Sequence, residues 1–314
     1  MVVAPRPLLV AGVPRSGSSW IGRALGRADG VAYVHEPDNE KRDPFAAKAK
    51  AALGRFPVLA PEDDAPAYEL LWRGAFAGGA ASEDERHRAA LEGFSKLTKE
   101  DLEVAVSGRS DAVRAAAATA LPRVAAPGRP IVKSVHAALA LPWIRARFDV
   151  DVIVVRRHPL NVLASMFDLD MPDRDRGLDR LPRVVRDYAT RWGVDPPAPG
   201  ATPLERAAWQ VGLLQSALVE ERDVTTTVVH EDVCLDPAEA FRALFETLGL
   251  RWTDAVREHV RASDRPGSGY KTARVAAEQP ERWRRRFDDG EVAVVRAVLA
   301  AFPLPGWPHD GSLP

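Results

Sequence analysis

Cysteine is almost missing from this chain: Cys234 is the only one in 314 residues. No intrachain disulfide can form, and a reducing, cytoplasmic compartment is the expected setting. Long apolar runs are missing as well, since no stretch approaches the roughly 18 residues that a membrane helix needs. The run Leu8–Val13 is short, is preceded by Arg6 and followed by Arg15, and lacks the long core of a signal peptide. Neither secretion nor a membrane span is expected. An excess of one charge is also absent: 43 Lys and Arg against 44 Asp and Glu leave a formal net charge of −1. That balance argues against a whole surface built for nucleic acid and leaves room for a local basic site. What remains is an ordinary globular balance, 46% hydrophobic and 28% charged, enough to bury a full α/β core.

Along the chain, strand and helix signals alternate. Pro7–Val13 is a continuous apolar run that suits a strand covered on both faces. A loop at Pro14–Ser19 and a helix at Trp20–Arg27 follow, then a short strand at Val31–Val34. Residues 40–125 change character and read as a mostly helical insertion, with alanine-rich segments at Glu83–Phe94 and Asp101–Thr119 and a Pro- and Asp-rich loop at Ala60–Ala67. Strand signals return at Pro130–Val135 and Val150–Val155, each followed by a helical pattern, the second by Leu160–Phe167. Residues 168–200 are rich in Asp, Arg and Pro, and we expect a mobile segment with one helix near 180–192. Leu204–Asp223 reads as a long amphipathic helix and Thr225–Val229 as a β-branched strand. Asp236–Leu248 reads as a helix with Asp236 as N-cap and Pro237 at the first helical position. A helix at Gly290–Phe302 leads into a Pro-rich tail, residues 303–314. The alternation predicts an α/β fold, a doubly wound parallel sheet flanked by helices, as a single domain over 1–314.

The first motif is the loop at Gly12–Trp20. Glycine-rich chain between a buried strand and a helix aims backbone N–H groups at one centre, and the helix dipole adds positive charge there. Gly12 and Gly17 have the spacing of the nucleoside-triphosphate loop, but Ser18 stands where that loop has lysine. The positive side chain comes earlier, from Arg15. No buried strand ends in an aspartate that would hold Mg²⁺; Val150–Val155 runs into Arg156 and Arg157 instead. A kinase or NTPase with a degenerate loop is therefore the weaker alternative. A tight Gly/Ser connection with no ligand is the bland one.

The second motif is Val152–Met166, where a strand ends in arginine and a helix begins with Pro159. Arg157 and Ser165 are eight residues apart, so a planar guanidinium fork and a short hydroxyl donor can close on one phosphate. Taken alone, Arg157 is better read as a solvated strand-end charge.

Together the two motifs resemble the sulfotransferases that use 3′-phosphoadenosine 5′-phosphosulfate, in their carbohydrate-type or bacterial branch. Pro14–Gly22 (PRSGSSWIG) is similar to the family's 5′-phosphosulfate loop, and Arg157–Ser165 (RHPLNVLAS) to its 3′-phosphate signature. Ala32–Pro37, Ile131–His136, Val228–Val233 and Glu281–Phe287 match further family stretches, in family order. Residues 40–125 and 168–200 carry no match.

The resemblance implies a P-loop-like sulfotransferase fold and in-line transfer of SO₃ to an acceptor hydroxyl, with 3′-phosphoadenosine 5′-phosphate released. No metal is expected, because the transferred group carries less charge than a phosphoryl. Arg15, Ser16, Gly17, Ser18, Ser19 and Lys133 are the candidates for charge stabilisation, Trp20 for stacking on adenine, and Arg157 with Ser165 for the 3′-phosphate. Lys271 and Arg274, in a stretch from Arg251 to Arg286 with ten Lys and Arg against five Asp and Glu, are candidates for a late loop over that phosphate. Glu36 is the first choice for general base and His136 the rival, three residues after Lys133 rather than the family's two. His35 is expected on the face opposite Glu36, as in extended chain. The acceptor is a glycan, glycolipid or small secondary metabolite, with Trp72, Phe76 and Phe167 as possible walls. A non-catalytic adenosine-nucleotide binder on the same fold is a further alternative; it would keep Arg157 and Ser165 but tolerate loss of Glu36 and His136. No nucleic-acid partner is expected, and oligomeric state is not readable.

Overall fold

The computed structural model describes residues 5–78, 128–171, 178, 181–221, 225–267 and 273–306. The helices expected at Glu83–Phe94 and Asp101–Thr119, and the candidate Lys271, lie outside these residues. Five strands form one parallel sheet flanked by helices, in the order β2-β3-β1-β4-β5. They are β1 (Leu8–Gly12), β2 (Val31–His35), β3 (Arg129–Ser134), β4 (Asp151–Arg156) and β5 (Thr225–Val229). The connection from β1 leads to one side of it, toward β2, and that from β4 to the other, toward β5, so the loop after β1 leaves the sheet at the switch point, the usual ligand position in open α/β sheets. All five β1 residues are buried, as expected for a strand of continuous apolar residues.

The chain divides into two compact units. The first comprises Met1–Ala11 and Ile21–Ile153. Here β3 pairs with β1 on one side and β2 on the other, setting Lys133 opposite Val10 and His35. Helix α1 (Ser18–Leu25) starts two residues earlier than its apolar pattern predicts, because Ser18 and Ser19 already take helical geometry. Helix α2 (Pro44–Ala49) is capped by Asp43, whose carboxylate accepts from Phe45 N–H at 2.9 Å. Helix α3 (Pro66–Phe76) buries Tyr68, Trp72 and Phe76 in an aromatic cluster with Trp143, of α4 (Leu141–Arg147), and Phe148. Trp72 is fully buried, so it and Phe76 are core residues and not walls of an acceptor pocket.

The second unit comprises Gly12–Trp20 and Val154–Pro314. Helix α5 (Pro159–Phe167) follows β4 directly, with every side chain from Pro159 to Met166 buried. The helix expected near 180–192 is three consecutive pieces, Pro182–Val184, Val185–Ala189 and Thr190–Trp192, the middle one π-helical and the last ended by left-handed Gly193. Helix α6 (Pro203–Glu220) opens on a capping box: Thr202 Oγ1 accepts from Glu205 N–H and Glu205 accepts from Thr202 N–H.

The stretch after β5 is helical. It forms α7 (His230–Leu235), whose first turn carries Glu231 and Asp232 as the dipole prefers. Asp236 caps α8 (Pro237–Thr247), as expected from its place before Pro237. The basic stretch hides α9 (Asp254–Ser263), where Asp254–Arg257 and Glu258–Arg261 pair one helical turn apart. A charge-rich sequence with only Val256 and Val260 buried gives a weak periodic signal, which is why no helix was expected there. Helix α10 (Asp289–Leu299) packs on α6.

Candidate functional site

The loop after β1 gets its shape from two left-handed residues, Arg15 at φ 69° and Gly17 at φ 89°. Glycine adopts this freely; arginine does so only at a cost of roughly 1–2 kcal/mol. The strain is held by Ser16 N–H donating to Val13 O (3.0 Å) and Trp20 N–H donating to Gly17 O (2.9 Å). A Cβ on Gly17 would stand 2.2 Å from the His230 ring, so the loop also lies too close to α7 for any side chain there. The first-turn amides of Ser18 and Ser19 have no acceptor within the helix. Ser16 Oγ is buried with no hydrogen-bond partner among the described residues.

Arg157 and Ser165 converge on this loop. Ser165 Oγ accepts from Arg15 Nε at 2.9 Å, and Arg157 Nη1 donates to the carbonyl of Arg15 at 3.0 Å. Arg157 is 5% exposed, and its Nε has no hydrogen-bond partner among the described residues. Arg157 is thus not a solvated strand-end charge. Arg15, assigned from the sequence to the first motif, is bound to the serine of the second. A guanidinium, a hydroxyl, first-turn amides and two unpartnered buried polar atoms suit an anion with several oxygens.

Trp20, half-buried, donates from Nε1 to Ser263 Oγ (2.7 Å) and packs edge-on against His230 and Phe241. The N–H of Arg274 donates to the carbonyl of the same Ser263 (3.2 Å), so α9 ties Arg274 and Trp20 to one residue. Phe167 packs edge-on against Phe287 beneath the Arg286 guanidinium.

The first unit holds a separate charged cluster. Lys133, 1% exposed, forms an ion pair and hydrogen bond with Glu36, whose other oxygen accepts from Asn39 Nδ2 at 2.6 Å. Burial alone would raise the Glu36 pKa, but the Lys133 ammonium and the hydrogen bonds from Lys133 and Asn39 prevail and hold it at about 2. His35 departs from expectation. Glu36 leaves β2 with φ 49°, in the left-handed region, and this turn brings its carboxylate to 4.0 Å from His35 Nε2. His35 Nδ1 shares a hydrogen bond with Tyr33 Oη (2.8 Å), and burial and then Lys133 lower its pKa to about 4.

His136 is enclosed, at 1% exposure. Its Nδ1 is 3.3 Å from Asp38 O and 3.5 Å from Lys50 Nζ, and its ring meets Phe56 edge-on. Burial lowers its pKa to about 4, so the ring is neutral at pH 7.

A sequence model of the sulfotransferase family matches residues 7–254, more than three quarters of the chain, including the loop after β1 and the stretch Arg157–Ser165. The chain belongs to the sulfotransferase family. No curated protein sequence matches it. Among solved structures, the sulfotransferase domain of the Synechococcus PCC 7002 olefin synthase is similar at 16% identity, TM-score 0.47, over 96% of each chain. The sulfotransferase domain from the curacin biosynthetic pathway is similar at 12% identity, TM-score 0.47, over 96% of this chain and 99% of that one. Sulfotransferase STF9 from Mycobacterium avium follows at 16% identity, TM-score 0.41, over 96% of this chain and 78% of that one.

Sequence reading of this sulfotransferase-family chain missed the residues that surround Arg157. Gln279 Oε1 accepts from Arg157 Nη2 at 3.4 Å, and Glu231 lies 4.0 Å from Arg157 Nε. Glu231 lies in the family-like stretch Val228–Val233 with no role of its own assigned there, and nothing in the pattern around Gln279 marks it. Their proximity to Arg157 arises from chain segments 74 and 122 residues away in sequence.

Proposed function

We propose that this protein transfers a sulfuryl group from 3′-phosphoadenosine 5′-phosphosulfate to a hydroxyl of a glycan, glycolipid or small secondary metabolite. The observation that carries the reading is the meeting of Arg15, Arg157 and Ser165 at the loop after β1. A donor with a phosphosulfate at one end and a 3′-phosphate at the other matches a two-part anion site of this kind. Arg15 and the amides of Ser16–Ser19 receive the phosphosulfate, Arg157 and Ser165 the 3′-phosphate with Lys271 and Arg274 closing over it, and Trp20 stacks on the adenine.

The chain's own part in the reaction is positioning and charge stabilisation, with Arg15 and Lys133 offsetting negative charge on the leaving oxygen. Glu36 takes the proton from the acceptor hydroxyl. Its side chain is 12% exposed, whereas that of His136 is 1% exposed, which favours Glu36 as the base a substrate can reach. Glu36 is strongly basic only when Lys133 turns to another anion, so lysine and glutamate work as a pair. A reducing cytoplasmic setting suits the single buried thiol of Cys234.

The reading is tested by thermal shift with 3′-phosphoadenosine 5′-phosphate against ATP–Mg²⁺. The first is expected to raise the melting temperature by mass action. Stabilisation by ATP–Mg²⁺ alone would support the degenerate-kinase alternative and sink this one. A mass-spectrometric screen for products gaining SO₃ over a hydroxyl library then identifies the acceptor, and nucleotide binding without any product would favour the non-catalytic binder.

A further inference from the structure

Glu231 is a buried carboxylate, 3% exposed, set beside the buried Arg157 guanidinium. Its two oxygens accept from the N–H of His158 at 3.1 and 3.2 Å, and Oε1 also accepts from Asn161 Nδ2 at 3.0 Å. Asn161 extends the network toward the C-terminus. Its Nδ2 donates to Pro280 O (2.8 Å) and its Oδ1 accepts from Trp283 N–H (3.1 Å). The Trp283 ring lies parallel to the His158 imidazole, 3° apart in plane with centroids 5.9 Å apart. Gln279, at the start of the same segment, accepts from Arg157 Nη2 at 3.4 Å and donates to Val275 O at 3.1 Å. The carbonyl of Arg157 accepts from Gln215 Nε2 at 3.0 Å, so the backbone of that residue is held from a third side.

A buried carboxylate is costly unless hydrogen bonds and an opposite charge compensate it. Here Arg157, His158 and Asn161 supply compensation, and Asn161 in turn holds Pro280 and Trp283. An arginine recognises phosphate through a rigid planar fork, so the angle at which the fork is held decides whether both contacts form.

We propose that Glu231, acting with Asn161 and Gln279, is a positioning residue for recognition of the donor's 3′-phosphate. It fixes the Arg157 guanidinium and fastens the segment Gln279–Trp283 against it. This rests on the reading that Arg157 binds that phosphate. The role is geometric: as a charge alone, Glu231 would repel the phosphate and its removal would tighten binding.

The test compares affinities for 3′-phosphoadenosine 5′-phosphate and adenosine 5′-phosphate, which differ only in the 3′-phosphate, by calorimetry on the full chain. Glu231→Ala is expected to reduce the preference for the 3′-phosphorylated nucleotide about tenfold while leaving adenosine 5′-phosphate affinity within about twofold. Glu231→Gln keeps an oxygen for His158 and Asn161 and is expected to restore most of the preference. An unchanged preference in Glu231→Ala, a tighter one, or equal weakening of both nucleotides overturns the proposal. Should Glu231→Ala not fold, Gln279→Met keeps the side-chain volume and removes the acceptor at Arg157 Nη2 together with the hydrogen bond to Val275 O. A several-fold fall in preference supports the proposal and no fall overturns it. Arg157→Ala is the reference. If it retains the preference, the 3′-phosphate reading itself fails; if it abolishes the preference and neither Glu231→Ala nor Gln279→Met lowers it, the positioning role alone fails.

Discussion

Replacing Glu36 by glutamine tests the charged cluster of the first unit by stability as well as by activity. In the fold the Glu36 carboxyl titrates at about 2, against an ordinary value of 4.5. A group so depressed stabilises the fold by about 3 kcal/mol at neutral pH. The sign follows from linkage: the unfolded chain binds the proton more readily, so the contribution is complete above about pH 4.5 and is lost as pH falls through about 2. Glu36→Gln removes it and also leaves Lys133, 1% exposed, without its counter-charge. Removing one partner of a buried pair costs about 3–5 kcal/mol. Urea unfolding at pH 7 is expected to show a loss in that range, and the gap between wild type and variant is expected to close as pH falls from 4.5 toward 2. Replacing both residues, as Glu36→Gln with Lys133→Met, is expected to cost less than Glu36→Gln alone, because no uncompensated charge remains. A loss below about 1 kcal/mol at pH 7 with an unchanged acid dependence would refute the pairing.

Turnover separates the two candidate bases. Glu36→Gln is expected to lower kcat by about 10²–10⁴-fold and His136→Gln by less than about tenfold, and the reverse ranking assigns the base to His136. Gly17→Ala places a methyl 2.2 Å from the His230 ring at φ 89°, and a loss of about 2–5 kcal/mol in urea unfolding is expected. Arg157→Ala should weaken 3′-phosphoadenosine 5′-phosphate binding about 10–100-fold and Ser165→Ala about threefold to tenfold, read by calorimetry; equal effects on adenosine 5′-phosphate would remove both from the 3′-phosphate. Thr202→Ala, which breaks the capping box of α6, should cost about 1 kcal/mol in the same unfolding assay with nucleotide affinity unchanged.

Much of the architecture was written locally. The β1 run Leu8–Gly12, the turn residues after it and the Asp236–Pro237 helix start each depend on a few adjacent residues, and each is where the pattern put it. Apolar periodicity and cap chemistry act over one or two turns, so one sequence suffices to read them. The elements that escaped were those whose local signal is weak. Helix α9 is charge-rich with two buried residues, and α7 begins directly where β5 ends.

What tertiary structure alone decided is how charges are paired. The sequence placed Arg15, Arg157 and Ser165 in two motifs that resemble those of the sulfotransferase family; only folding showed that Arg15 is bound to Ser165 and that Arg157 is buried against Glu231 and Gln279. Likewise Glu36 and Lys133 were separate candidates, 97 residues apart, until β2 and β3 paired and a left-handed turn at Glu36 joined them. The physical reason is common to both. Ion pairing and desolvation depend on distances of a few ångströms between segments remote in sequence, and no local pattern encodes those distances.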